Sequence, residues 1–156
     1  MLAYIGLGSN LGDSHQVLNQ AIAELNALAD CTLVGRSSFW QSAPYEAQGP
    51  DFINAVIGIS TRLKPLTLLK KLQAIEDQFG RERPYPNAPR ILDLDLLWMQ
   101  GITMQTPELI LPHPRLHQRA FVVYALAEIA PDFTIPGLGK ISNWLEQTRD
   151  QVVKQL

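Results

Sequence analysis

Phe52-Ile53-Asn54-Ala55-Val56-Ile57-Gly58-Ile59-Ser60-Thr61 is followed, after three residues, by Pro65-Leu66-Thr67-Leu68-Leu69-Lys70-Lys71-Leu72-Gln73-Ala74-Ile75-Glu76-Asp77-Gln78-Phe79-Gly80. The first stretch is rich in isoleucine and valine and reads as a strand. The second changes period: Leu68, Leu69, Leu72, Ile75 and Phe79 form one apolar stripe, with Pro65 where a helix begins and Gly80 where it ends. Toward the N-terminus, Leu2–Leu7 reads as a first strand and Gly8–Gly12 as a turn. Asp13-Ser14 can cap a helix, along which Val17, Leu18, Ala21, Ile22, Leu25 and Leu28 recur at helical spacing. A second strand is expected over Thr32–Gln41, and a Pro- and Gly-bearing loop over Ala43–Asp51. Toward the C-terminus, residues 81–90 carry three prolines and no period. A fourth strand is expected over Ile91–Trp98, then helices over Arg119–Ile129 and from Ser142 to the end. The order β-α-β-β-α-β is that of a ferredoxin-like antiparallel sheet backed by helices, here with additional C-terminal helices. That fold hosts many activities, so it assigns none.

The 156 residues suit one domain, 1–156, and the 46% hydrophobic and 18% charged composition suits a globular one. The apolar runs are too short to cross a bilayer, and Met1–Ile5 shows neither the basic region nor the cleavage pattern of a signal peptide. Cys31, the single cysteine, has no internal disulfide partner, and a cytoplasmic location is expected. A net charge of -2 argues against a protein that holds nucleic acid by general attraction. The cations are unevenly placed, however. Five of the eight arginines (Arg81, Arg83, Arg90, Arg115 and Arg119) lie between residues 81 and 119, where there is no lysine. The guanidinium fork suits bidentate grip on phosphate oxygens.

Within that span stands Arg90-Ile91-Leu92-Asp93-Leu94-Asp95-Leu96-Leu97. On a strand, Asp93 and Asp95 share one face and Leu92, Leu94 and Leu96 the other. Their Cα atoms are then roughly 6–7 Å apart. A divalent cation relieves the repulsion between two carboxylates held so close, and Mg²⁺ accepts one or two carboxylates with water and phosphate as further ligands. A solvated acidic face is the plain alternative; the neighbouring arginines favour the metal. Gly6-Leu7-Gly8-Ser9-Asn10-Leu11-Gly12 departs from the dinucleotide fingerprint by one position and lacks the Gly-Lys of a P-loop. It reads as a tight turn near a ligand. His113 and His117 are four apart, but Pro114 starts any helix later, which argues against zinc. His113 could donate to a phosphate beside Arg119. Gln73 and Glu76 share a helix face, for which exposure is the ordinary explanation, and core packing is the ordinary role of Phe52 and Phe121.

Taken together, Gly8–Gly12, Ser37-Ser38-Phe39, Asp51–Ala55, Gln73–Glu76, Gly80–Arg83, Ala88–Asp95, Pro112-His113-Pro114 and Arg119-Ala120-Phe121 resemble the 6-hydroxymethyl-7,8-dihydropterin pyrophosphokinase family, in order, over roughly residues 3–135. The resemblance implies transfer of pyrophosphate from Mg-ATP to the pterin's hydroxymethyl oxygen, giving AMP, in folate biosynthesis. It implies two Mg²⁺ ions on Asp93 and Asp95, and catalytic roles for Arg81, Arg90, Asp93 and Asp95. ATP would face Gln73, Glu76, Arg83, His113 and Arg119. The pterin would lie between Phe52 and Phe121, with Asn54 at its edge and Ser42, Ala43, Pro44 and Tyr45 assisting through backbone. Residues 81–90 would close as a lid over the triphosphate. Partners would be these small molecules, with no nucleic acid or membrane, and the chain would act as a monomer. Departures from the family pattern are Pro86 and Asn87 in that loop (Asn87 where many relatives have tryptophan), Glu108 in place of an arginine and Pro114 in place of a tyrosine. A ferredoxin-like nucleotide- or RNA-binding module without catalysis is the alternative; an RNA-binding sheet would show basic and aromatic residues where this one has aspartates.

Overall fold

A computed structural model describes residues 1–43, 50–80, 91–151 and 153–156. In chain order the elements are β1 (Leu2–Ser9), α1 (Ser14–Ala27), β2 (Cys31–Arg36), β3 (Trp40–Ser42), β4 (Phe52–Thr61), α2 (Pro65–Gln78), β5 (Asp93–Met99), β6 (Met104–Gln105), β7 (Ile110–Leu111), α3 (Ala120–Ile129), β8 (Thr134–Ile135), β9 (Gly139–Lys140), α4 (Ser142–Gln147) and β10 (Val153–Gln155). A six-stranded sheet runs β10-β3-β4-β1-β5, with β2 also paired to β4, and each pairing is antiparallel. The protein is thus a mixed α/β structure, an antiparallel sheet with four helices among the described residues.

Alternation along β1 separates two cores. Ala3, Ile5 and Leu7 meet Leu18, Ile22 and Leu25 of α1 and Leu68, Leu72 and Ile75 of α2. Tyr4, on the opposite face, joins Val56, Leu97 and the Val122, Val123 and Leu126 stripe of α3. Burying each leucine, isoleucine or valine of these sets contributes about 1.5–3 kcal/mol. Leu2 packs against the same side, and beyond Tyr4 the positions of β1 on the α3 face are Gly6 and Gly8, which have no side chain to fill it. The helix starts follow local chemistry. Asp13 accepts from the Gln16 N–H at 3.2 Å to cap α1. Pro65 opens α2, and Gly80, at φ +79°, takes the left-handed conformation just past its end.

Three boundaries differ from the sequence expectation. The first strand continues through Gly8 to Ser9, because Gly8 pairs with Asn54 on one side and Asp93 on the other. The second strand is broken at Ser37–Phe39, where side chains displace the ladder. Ser37 Oγ accepts from the Val56 N–H at 2.9 Å, and Ser38 turns its N–H and hydroxyl to the Glu128 carboxylate. The final helix stops at Gln147, and the chain returns as β10 against β3. The six residues after Leu145, Glu146–Gln151, are all polar and interrupt the apolar stripe, and the β-branched Val153 favours extended backbone.

Candidate active site

The two aspartates of β5 sit directly across from the glycines of β1: Asp95 opposite Gly6, and Asp93 opposite Gly8. Leu94 and Leu96 point into the α1–α2 core, so Asp93 and Asp95 face the α3 side together. The glycines leave open space in front of them. That space is a cavity of about 250 Å³ lined by both aspartates, Phe52, Asn54, Arg115, Arg119 and Phe121, with Gly6, Leu7, Gly8 and Val122 completing its wall.

Phe52 opens β4 and Phe121 lies in the first turn of α3, so two half-buried rings from different elements border one cavity. Asn54 is 2% exposed, and its Nδ2 donates to Ser42 Oγ at 2.8 Å and to the Trp40 carbonyl at 3.4 Å. Its Oδ1 lies over Gly8, only 3.0 Å from where a β-carbon on that glycine would sit. Ser42 therefore orients Asn54 through its side chain, while Ala43 is exposed beyond the end of β3.

Arg119 stands at the N-cap of α3 in extended conformation and reaches back toward β5. Its Nη1 is 3.4 Å from Asp95 Oδ2, and its Nη2 packs 3.3–3.4 Å from the two ring nitrogens of His113. Its Nε is buried and has no hydrogen-bond partner among the described residues. At this separation and exposure the ion pair contributes little to stability. His113 follows Pro112, whose peptide bond with Leu111 is cis, and its N–H donates to the Leu97 carbonyl at 2.7 Å. The Arg115 N–H donates to His113 Nδ1 at 3.1 Å, which places the neutral ring's proton on Nε2. Donors of His113 and Arg119 then face one another, an arrangement that an anionic oxygen between them would relieve. Burial lowers the His113 pKa from its ordinary value, and the Arg119 charge lowers it further; Asp95 partly opposes both.

A second cavity, of about 290 Å³, opens on the other side of Asp95. Leu69, Leu96 and Ile110 give it apolar surface, and Thr106, Glu108 and His113 give it polar groups. Asp95 is the residue that lines both cavities.

Glu76 is buried and lies behind the strand. Its Oε2 accepts from the Leu94 N–H at 2.9 Å, between the two aspartates, which makes it a brace for β5. Gln73 is half-buried one turn earlier on α2. Arg81, Arg83 and Arg90, with the lid expected over 81–90, lie outside the described residues, as do Pro44 and Tyr45. Sequence reasoning missed Gly6 and Gly8 as cavity floor; two glycines spaced two apart at the end of an apolar strand were the available signal. It also missed Leu69, Thr106 and Ile110, which carry no chemical signature. Ser37 and Ser38, part of the quoted pattern, hold the break between β2 and β3 and line neither cavity. Among the described residues no group of three or more His, Cys, Asp or Glu side chains could hold a metal ion. Two carboxylates on one strand face, with Arg115 and Arg119 lining the same cavity, match the few protein ligands that Mg²⁺ takes.

The sequence pattern of 7,8-dihydro-6-hydroxymethylpterin-pyrophosphokinase (HPPK) matches residues 4–131. The chain belongs to this family. A 2-amino-4-hydroxy-6-hydroxymethyldihydropteridine pyrophosphokinase of Haemophilus influenzae is 40% identical over 155 residues, 99% of this chain and 97% of that protein. The enzyme of the same name from Bacillus subtilis is 43% identical over 130 residues, 82% of this chain and 77% of its own length. In fold, the chain resembles wild-type Plasmodium falciparum HPPK-DHPS crystallised with pteroate, at a TM-score of 0.76 and 12% identity. That match covers 94% of this chain and 42% of the Plasmodium chain, so this HPPK-family protein spans less than half of that polypeptide. No helix among the described residues is long and apolar enough to cross a membrane.

Proposed function

We propose that the cavity between Phe52 and Phe121 takes the pterin, that the cavity at Leu69, Leu96 and Ile110 takes the nucleoside of ATP, and that the β,γ-diphosphate passes between them at Asp95. The protein is a pyrophosphokinase of folate biosynthesis and uses ATP as co-substrate. The observation that carries the site reading is that Asp95 lines both cavities. In the reaction the hydroxymethyl oxygen of 6-hydroxymethyl-7,8-dihydropterin forms a bond to the β-phosphorus, and the bond from that phosphorus to the α,β-bridging oxygen breaks. AMP leaves with the bridging oxygen, and the hydroxyl proton passes to a phosphate oxygen or water.

Flat heteroaromatics are well held between aromatic faces, and the Asn54 Oδ1 over Gly8 supplies an acceptor for the ring's N–H edge. Asp93 and Asp95 would hold two Mg²⁺ ions, which when bound neutralise triphosphate charge and help hold it in line. Arg119 and the Nε2–H of His113 would grip the anion, with Gln73 facing ATP. Arg81 and Arg90 would stabilise the charge that develops on the transferred group, Arg83 would bind the triphosphate, and 81–90 would close over it. Such a transfer relies on alignment and charge neutralisation more than on a covalent intermediate. The described strands, with β2 and β3 taken as one, support a ferredoxin-like core within a single domain over 1–156. Small-molecule partners and a monomeric, cytoplasmic enzyme complete the reading. AMP release from Mg-ATP, measured with and without 6-hydroxymethyl-7,8-dihydropterin, tests it. Pterin-dependent AMP supports the reading; none at saturating Mg²⁺ would leave a binding module.

A further inference from the structure

Arg119 and Phe121 flank the start of α3, yet the N-cap residue makes no side-chain cap bond there. The first four N–H groups of a helix need partners from elsewhere. The Ala120 N–H finds one 31 residues on: it donates to Gln151 Oε1 at 2.9 Å. The same amide's Nε2 donates to the Gln118 carbonyl at 2.7 Å. One side chain thus grips the backbone on both sides of Arg119, the residue that reaches Asp95 and His113, and immediately before Phe121. The Arg119 guanidinium carbon lies 5.6 Å from the centre of the Phe121 ring, so the two side chains form one packed unit. The same segment reaches the opposite wall. Val153 pairs with Ser42, which pairs with Phe52 and holds the Asn54 amide.

We propose that Gln151 is a positioning residue for the pterin site, clamping the start of α3 so that Arg119 meets Asp95 while Phe121 faces Phe52. This rests on the reading that the Phe52–Phe121 cavity takes the pterin. Gln151 lies beyond the residues that match the family pattern, and it acts only through backbone groups. A glutamate there keeps the acceptor for the Ala120 N–H but loses the donor to the Gln118 carbonyl. Gln151→Glu is therefore expected between wild type and Gln151→Ala.

The test compares Gln151→Ala, Gln151→Glu, Phe121→Ala and the surface control Arg149→Ala. It reads kcat/KM for the pterin, KM for ATP and hydrogen exchange at the Ala120 amide, well below each melting point. Gln151→Ala should lower pterin kcat/KM by about tenfold, the effect of losing roughly two hydrogen bonds. ATP KM should change less, since Arg119 is one of several cations proposed to hold the triphosphate. Ala120 exchange should accelerate in Gln151→Ala, less in Gln151→Glu, and not in Arg149→Ala. Unchanged pterin kcat/KM in Gln151→Ala, with Phe121→Ala impaired, overturns the positioning role alone. Unchanged values in both remove the pterin reading, and the proposal falls with it.

Discussion

At Gly8 the absence of a side chain does chemical work. A β-carbon there would stand 3.0 Å from Asn54 Oδ1, closer than ordinary contacts allow. Asn54 cannot retreat without giving up its bonds to Ser42 and Trp40. Gly8→Ala is expected to weaken pterin binding by about tenfold, equivalent to one good hydrogen bond, with ATP-analogue binding nearly unchanged; calorimetry with each ligand separately checks this. His113 offers a second test. Its depressed pKa keeps the ring neutral at pH 7 in the apo protein. The unfolded chain, with an ordinary histidine near pKa 6.5, takes up the proton first as pH falls. His113 therefore costs stability progressively as pH drops below about 6.5, until its native pKa is passed. NMR should show its ring titrating below an ordinary histidine, and His113→Asn should lose less stability than wild type between pH 7 and 5. A ring titrating above 6.5 would contradict the burial argument. At this scale Asp93, Asp95, His113 and Arg119 stood out by their own chemistry, whereas Phe52, Phe121 and Asn54 entered only through the family resemblance; the structure brings all seven to the walls of the two cavities. Glycine carries no side-chain chemistry, so Gly6 and Gly8 read only as turn formers until their strand partners are known.

At the scale of elements, β5 makes the site by presenting aspartates on one face while leucines anchor the other. Glu76 on α2 holds that strand through the Leu94 N–H, and both partners are buried. Truncating Glu76 to alanine leaves that N–H without its acceptor, at a cost of about 1–3 kcal/mol. For a domain near this size that corresponds to a loss of roughly 2–12 °C in Tm. Calorimetric melting of Glu76→Ala should show the drop, with kcat falling as the aspartates lose their brace; an unchanged Tm would show that the bond does not support β5. The strand and helix over Phe52–Thr61 and Pro65–Gln78 were legible because apolar periodicity and the Pro and Gly punctuation agree. The break at Ser37–Phe39 and the strand β10 were not, because both depend on distant partners: Val56 and Glu128 in one case, β3 in the other.

Across the whole molecule, one sheet with glycines in its centre and aspartates on its outer strand sets two cavities side by side. The apolar-patterned cores fix the sheet from one side through α1 and α2 and from the other through α3. Asp95 lines both cavities, and the proposed function places the transfer there. The measurement that bears most directly on this is the turnover of Asp95→Ala at saturating Mg²⁺, ATP and 6-hydroxymethyl-7,8-dihydropterin, with circular dichroism to establish folding. The expected result is a folded protein whose kcat falls by about 10³-fold or more, since charge neutralisation at a metal supplies several kcal/mol. A folded Asp95→Ala protein with kcat within a few-fold of wild type would contradict the placement of the reaction at this residue.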